Sequence, residues 1–541
     1  MRKALTRRRF MQLAAVVPPA ALAAAYDAAA QAPTAPSAGT PPPAPLPTRA
    51  AAVVPAHSAG PRRGGTFTLA RTMSIKNFNP LNTSEGHYAF QRALFNTPIH
   101  YDAQLNPQPD LAEKWDFSPD GKTMTLKLRE GVKFHSGREL TSDDIRFSIE
   151  FAQTNDDSTS RALYKSSIRQ VDTPSKYVAT LSFNTVNPSI FDLMDMLYIM
   201  DKETIGSLAS TVVGTGPFTI ERYIPNDRVE MAAFKDYWEK GKPYLDRYVA
   251  RTIPDLGSLA INLESGAVDC IYEPSYLDLV RLKGRSDKYS ASTGAPGASM
   301  YNLAINTKAE YLSNKKVRQA IAWSIDRARY CRTVLQGIIS PTCLMWPSHS
   351  WAHFKDLEGT IGYDLDKAKA LLREAGLEKG FETEILTASK LTYGFGELAQ
   401  ILQADLSKIG IRAKISDLES GQYESRQSKG DILLTVHSYG RANRDPGTMV
   451  TGAKAWYNEK EGGWTHFEST EYDNLRKEMQ STLDREKRKA TARKIQQMAL
   501  DECFTNPVSP RSKGWAFANY VKDLKYNMDN SPWVSDIWLE R

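Results

Sequence analysis

From Gly64 to the C-terminus, segments with apolar residues at every second position alternate with segments whose apolar residues recur at the helical period, the pattern of an α/β fold with mixed sheets. Thr66-Phe67-Thr68-Leu69 opens the series as a strand. Met124, Leu126 and Leu128 share one strand face after the turn Ser118-Pro119-Asp120-Gly121. Thr141-Ser142-Asp143-Asp144 then has the form of a capping box, with Ile145, Ser148, Ile149 and Ala152 on the inner face of the helix that follows. Val317, Ala320, Ile321, Ser324 and Ile325 predict a second helix, capped near Ser313 or Asn314. Further helices are predicted over 366–375 and 397–409, closed by Gly376 and Gly410. A strand is expected over 431–436, and two polar-faced helices between Ser469 and Glu502. No repeat of 20–50 residues runs through the chain.

Length sets the scale. At 541 residues the chain exceeds one compact core and suggests two or three domains. Its formal charge of +7 invites a polyanionic partner, but the charge is not evenly placed. Arg2, Lys3, Arg7, Arg8, Arg9, Arg49, Arg62 and Arg63 precede residue 64, against the single acidic Asp27. Removing those eight from 69 basic residues, and one from 62 acidic residues, leaves 61 of each in the body. The electrostatic case for nucleic acid therefore fails.

The basic start has another explanation. Arg7-Arg8-Arg9-Phe10-Met11 precedes an apolar run from Leu13 to Ala25, too short to span a bilayer, and small residues lead to Ala30-Gln31-Ala32. This resembles a twin-arginine export signal over 1–32, with cleavage after Ala32 or Ala25. The first cysteine is Cys270, so no lipid-accepting thiol stands at the exit, and a soluble periplasmic protein without a lipid anchor is expected. Residues 33–63 read as a disordered tether; nine prolines and eight alanines fall between 33 and 61 with no apolar period. Cys270, Cys331, Cys343 and Cys503 are too few to build the fold by disulfides. Cys331 and Cys343 could close a short loop or remain buried thiols.

No C-x-x-C, H-E-x-x-H, G-x-S-x-G or Walker loop is present. Gly214-Thr215-Gly216-Pro217 is no dinucleotide loop, because Pro217 and the strand-like Phe218-Thr219-Ile220 replace the helix start. Phe134-His135-Ser136-Gly137 reads as a turn with a structural histidine, Asp143 and Asp144 as solvated cap residues, and Asp326-Arg327 as a local ion pair. Trp115 and Trp238 are read as core. Neither metal nor cofactor is expected.

Taken in order, several motifs resemble the family 5 extracellular solute-binding proteins of ABC importers, the group of dipeptide, oligopeptide and nickel binders. Asp110-Leu111-Ala112-Glu113-Lys114-Trp115 leads through Leu126 to Gly137 and Thr141 to Ser148. Gly214 to Phe218, Tyr237-Trp238, Ser265 to Asp269, Asn302 to Asn306, Val317 to Ile321, Ile325 to Arg327, Tyr363 to Gly376 and Leu406 to Ile411 follow. The resemblance implies a two-lobed periplasmic-binding-protein clamp of type II with an inserted domain. Lobe I would comprise 64–87, 214–300 and 505–541, the inserted domain 88–213, and lobe II 301–504. It also implies no bond chemistry, a peptide or peptide-like solute, permease and ATPase partners, and a monomer.

For the solute site, the resemblance points to Arg71, Thr72 and Met73, ahead of Phe78-Asn79-Pro80, and to Tyr439-Gly440-Arg441-Ala442-Asn443-Arg444-Asp445-Pro446, with Tyr301 and Trp346 added. Peptide binders carry an Asp where this chain has Ala442, and that Asp pairs with the ligand's α-ammonium. Without it a buried ammonium lacks its partner. Arg71, Arg441 and Arg444 instead suit an anionic group held bidentately, unless they pair with Asp445 or Glu85. The alternative within the family is a metal chelate, for which Cys343, His349 and His353 are the candidates, or a role as a non-transporting sensor. An irregular apolar loop around Trp346, Trp351 and Phe354 competes with the metal reading.

Overall fold

The computed structural model describes residues 60–75, 77–81, 90–207, 212–293, 299–440, 442, 444–457, 462–528 and 530–541. The expected export signal and most of the tether lie outside them, as do Arg441 and Asn443. Three sheets organise the body. A seven-stranded sheet has the order Tyr289–Thr293, Gly514–Ala518, Cys270–Tyr272, Thr66–Arg71, Arg247–Thr252, Arg228–Ala233, Phe218–Ile224. Its strand Thr66–Arg71 runs parallel to both neighbours. A five-stranded sheet has the order Arg412–Asp417, Glu382–Thr387, Leu434–Gly440, Ser299–Ile305, Thr505–Arg511, also mixed. A four-stranded antiparallel sheet, Ala112–Phe117, Thr123–Leu128, Val178–Phe183, Ile168–Ser175, is built wholly from the chain between the first two strands of the seven-stranded sheet's sequence order.

The chain leaves the seven-stranded sheet at Thr293, enters the five-stranded sheet at Ser299, and returns from Arg511 to Gly514. The C-terminal segment is thus shared: 505–511 pairs with 299–305, and 514–518 with 270–272 and 289–293. Ser299–Ile305 is buried at every position, as a central strand covered on both faces should be. Tyr301, Leu303 and Ile305 enter one large apolar cluster, while Met300 enters a second that includes Trp346, Tyr439 and Trp456.

Local signals were realised where they were self-contained. Met124, Leu126 and Leu128 are fully buried. Thr141 and Asp144 form the capping box of helix Ser142–Thr154. Asn314 caps Lys315–Ser324, and the helices Leu365–Glu374 and Phe395–Ser407 end before Gly376 and Gly410, whose φ of 72° and 86° few other residues adopt. Three readings are corrected. Asp144 is buried rather than solvated, because Arg138 Nη2 lies 2.6 Å from its Oδ1. Arg327 does not pair with Asp326; it donates to the carbonyls of Pro507 (2.8 Å) and Ala322 (3.2 Å), while Asp326 accepts from the Arg329 N–H. The strand expected over 431–436 begins at Leu434, where pairing with Ile305 starts.

Gly214-Thr215-Gly216 joins the four-stranded and seven-stranded bodies. Gly216 N–H donates to Leu94 O at 3.0 Å and Gly214 O accepts from His135 N–H at 2.8 Å. The His135 ring lies between Gly216 O (3.0 Å from Nε2) and the Gly214 amide (3.3 Å from Nδ1), the structural role expected of it. Burial pushes its pKa down to about 4. All four cysteines are free and buried, which resolves the disulfide alternative. No helix among the described residues is long and apolar enough to cross a membrane.

Candidate functional site

In mixed sheets the loops that leave the carboxyl ends of parallel strands are where small molecules settle, since backbone groups there are not consumed by pairing. In the seven-stranded sheet those ends are Arg71, Thr252 and Tyr272; in the five-stranded sheet, Thr387, Asp417 and Gly440. Segments from both sets converge on an open cavity of about 510 Å³, lined by Leu256 and Glu273 to Tyr276 from one side, by Tyr301 and Tyr393 from the other, and by Arg511 to Gly514 at the crossing.

Its walls are aromatic and its polar groups are fixed. The rings of Tyr276 and Tyr393 lie 5.6 Å apart. Tyr276 O–H donates to Ser512 O at 2.7 Å, and Tyr301 O–H to Tyr393 O at 2.8 Å. Burial raises the Tyr301 phenol to about 12, so it stays a neutral donor. Lys513 Nζ lies 3.1 Å from Glu273 Oε1 and 5.3 Å from the centre of the Tyr272 ring. Ser275 caps helix Tyr276–Lys283 by accepting from the Asp278 N–H. Two cations and one carboxylate against aromatic walls can hold a small zwitterion or an anionic group by charge-assisted hydrogen bonds.

The residues singled out from sequence do not form one cluster. Tyr301 lines this cavity. Tyr439 stands opposite Met300 rather than Tyr301 in the strand register, so it faces the other side of the sheet. There its O–H donates to Met345 O at 2.9 Å, and Trp346 Nε1–H donates to Pro446 O at 3.4 Å; both rings are buried in the cluster that holds Ala442, Met449 and Trp456. Arg71 ends its strand buried, donating from Nε to Met73 O at 2.9 Å; Thr72 is half-buried and Met73 is 41% exposed. Arg444 is ion-paired with Asp195, and Asp445 with Arg488.

The metal candidates do not assemble into a ligand set. Among the described residues no group of three His, Cys, Asp or Glu side chains could hold an ion. His353 Nδ1 lies 3.0 Å from Trp346 O and Cys343 Sγ lies 3.9 Å from Leu357 O. Burial pushes His349 down to about 4, only partly opposed by the nearby Ala442 backbone, and neither ring nitrogen is in hydrogen-bonding geometry with a partner.

Sequence reading missed Glu273, Tyr276, Tyr393, Arg511 and Lys513. Their one local sign is position, directly after a strand or at the return crossing, and that becomes visible only with the sheet order.

Residues 106–461 match the model of the bacterial extracellular solute-binding proteins, family 5. Heme-binding protein A of Haemophilus influenzae is 26% identical over 510 residues, 86% of this chain and 92% of that one. The dipeptide-binding protein of Escherichia coli is 31% identical over 419 residues, covering 70% and 77%. Among solved structures, DppA of Helicobacter pylori in complex with the peptide STSA has a TM-score of 0.71 at 25% identity, covering 89% and 99%. HbpA2 of Haemophilus parasuis has a TM-score of 0.79 at 23% identity, covering 88% and 100%. With a family model spanning most of the chain and a cavity between the strand ends of two sheets, the chain belongs to the family 5 extracellular solute-binding proteins.

Proposed function

We propose that the protein is an exported, periplasmic capture component that encloses a short peptide or peptide-like solute bearing an anionic group and hands it to the permease of an ABC importer. The supporting observation is the cavity at the facing strand ends. Arg511 and Lys513 offer donors to a carboxylate, Glu273 can accept from an ammonium, and the tyrosines provide flat apolar walls. Charge of both signs suits a zwitterion, and the related proteins from Escherichia coli and Helicobacter pylori, named for dipeptide binding or solved with a peptide, bind ligands of that class.

In this reading the seven-stranded sheet is the core of lobe I, the five-stranded sheet that of lobe II, and the four-stranded sheet that of the inserted domain. Closure is a population shift toward the state that makes more contacts with solute. The protein breaks no bond and works as a monomer. The anionic group finds its partners at Arg511 and Lys513, and Arg71 and Arg441 are the further cations offered by the aligned motifs.

The test is titration calorimetry of the full mature chain against dipeptides, with Glu273→Gln and Lys513→Met as variants. Each variant is expected to weaken binding more than tenfold. Unchanged affinity in both would remove the cavity from the account.

A further inference from the structure

Six charged residues, Arg92, Asp192, Asp195, Arg444, Asp445 and Arg488, form one buried junction between the four-stranded body and the five-stranded body. Each is at most 8% exposed. Arg92 Nη2 lies 2.8 Å from Asp195 Oδ1, and Arg444 Nη1 is ion-paired with Asp195 Oδ2. Asp192 accepts from Tyr101 O–H at 2.8 Å and from the Asp445 N–H at 3.0 Å. Asp445 in turn caps helix Pro446–Gly452, accepts from Ser189 Oγ at 3.0 Å, and receives Arg488 Nη1 at 2.9 Å. Charge balances, three guanidiniums against three carboxylates.

The setting makes this more than a packed polar patch. Residues 189–195 belong to a body whose apolar cluster runs from Leu81 to Val213, while 444–488 belong to one that runs from Met300 to Phe504. No apolar cluster of described residues includes members of both 88–213 and 301–504. The four-stranded body is instead tied to the seven-stranded sheet, through Gly216 on Leu94 and through Phe90, Leu94 and Phe95 packed among Phe67 and Leu69. An interface that shares charge-assisted hydrogen bonds but no hydrophobic cluster can separate without unfolding either side.

We infer that the Asp195–Arg444 pair, with Asp445 beside it, is a closing latch. Arg444 then acts on solute binding by setting the population of the closed form and not by touching the solute. This rests on the clamp reading above and deepens it. Residues 444 and 445, which the sequence reading places in the solute-facing loop, become closure residues, and the preference for an anionic group falls to other cations. Because apparent affinity scales with the fraction of molecules able to bind, loss of the latch weakens binding of every solute by a common factor.

The test uses Arg444→Ala, Asp195→Asn, their double variant and Arg444→Lys in the full mature chain, with two readouts. Without solute, hydrogen exchange at the Asp445 amide, which donates to Asp192, reports the junction directly. Exchange should quicken at least tenfold in both single variants, no further in the double, and less in Arg444→Lys, while amides in the four- and five-stranded sheets keep their protection. With a panel of dipeptides, both single variants should weaken binding of all that bind by a similar factor. Additive effects, or unchanged Asp445 exchange in Arg444→Ala, would overturn the latch. So would weaker binding in Arg444→Ala with normal binding in Asp195→Asn, because Arg444 would then be touching solute. If no dipeptide binds the wild-type chain, the peptide reading fails while the exchange arm still decides the latch. Should a variant lose sheet protection, Arg444→Lys carries the comparison, and full wild-type protection of Asp445 in an Asp195→Glu partner variant would likewise count against it.

Discussion

Gly216→Ala tests how the inserted body is held. A Cβ at Gly216 would sit 2.4 Å from Leu94 C, 2.5 Å from Ala93 O and 2.6 Å from Phe95 N. All three are backbone atoms, so no rotamer change relieves the contact. Reaching an ordinary separation of about 3.5 Å requires the two segments to part by about 1 Å. That movement lengthens the Gly216 N–H to Leu94 O bond, now 3.0 Å, and disturbs the His135 contact to Gly216 O, also 3.0 Å. Overpacking costs about 1–3 kcal/mol, and each hydrogen bond lost in a buried setting about 1 kcal/mol. Together the substitution should destabilise by about 3 kcal/mol. Urea denaturation followed by tryptophan fluorescence measures it, with Gly421→Ala as control. Gly421 lies in helix Ser420–Ser428, and its added Cβ meets nothing within 4 Å. The control should be neutral or gain up to about 1 kcal/mol from helix propensity. If Gly216→Ala stays within about 0.5 kcal/mol of wild type, or follows the control, the close approach is not what the motif is for.

Three further outcomes follow from buried polar groups. Tyr439→Phe leaves the Met345 carbonyl without its 2.9 Å donor and should cost about 1–3 kcal/mol in denaturation while leaving solute affinity unchanged; an affinity loss at full stability would place the phenol on the solute. Arg488→Met strands the Asp445 carboxylate, only 7% exposed, and should cost about 3–5 kcal/mol, measured in the same assay; a neutral result would mean Asp445 finds water or another donor. Burial holds His135 near 4 and His437 near 3 in the folded chain, against an ordinary value of 6.5, so the unfolded chain binds protons first. Their contribution is complete above pH 6.5 and is lost as pH falls toward 4 for His135 and toward 3 for His437, by about 3 kcal/mol for His135 alone. Asp110 and Asp192, raised to about 6 chiefly by burial, act in the opposite sense, and folding gains as they protonate below that value. The histidine share is isolated by comparing wild type with His135→Asn at pH 7 and pH 4.5; an identical pH slope in the two would refute it.

The sequence reading succeeded where a signal closes on itself within one turn or one strand. The Thr141–Asp144 box spans four residues, and the helices before Gly376 and Gly410 carry both their apolar stripe and their stop. It failed where a partner lies far along the chain. Leu434 begins its strand because Ile305 is opposite, not because the local alternation changes there. Tyr301 and Tyr439 look alike in sequence, yet a one-residue difference in register sends them to opposite faces. Asp144 reads as an exposed cap until Arg138 folds over it, and Arg444 reads as a cation for solute or for Asp445 or Glu85 until Asp195 arrives from 249 residues away. Family motifs gave the architecture because they mark framework contacts such as Gly216 on Leu94. The cavity's charged residues carry no such mark.

The most direct test of the central claim, that the two sheet bodies enclose a peptide-like solute, is native mass spectrometry of the protein purified from cells that make it. The account predicts a single adduct of a few hundred daltons that departs on denaturation, fragments at an amide bond and carries a free carboxylate. A retained metal ion or chelate, or a released molecule with no amide and no acid group, would contradict it.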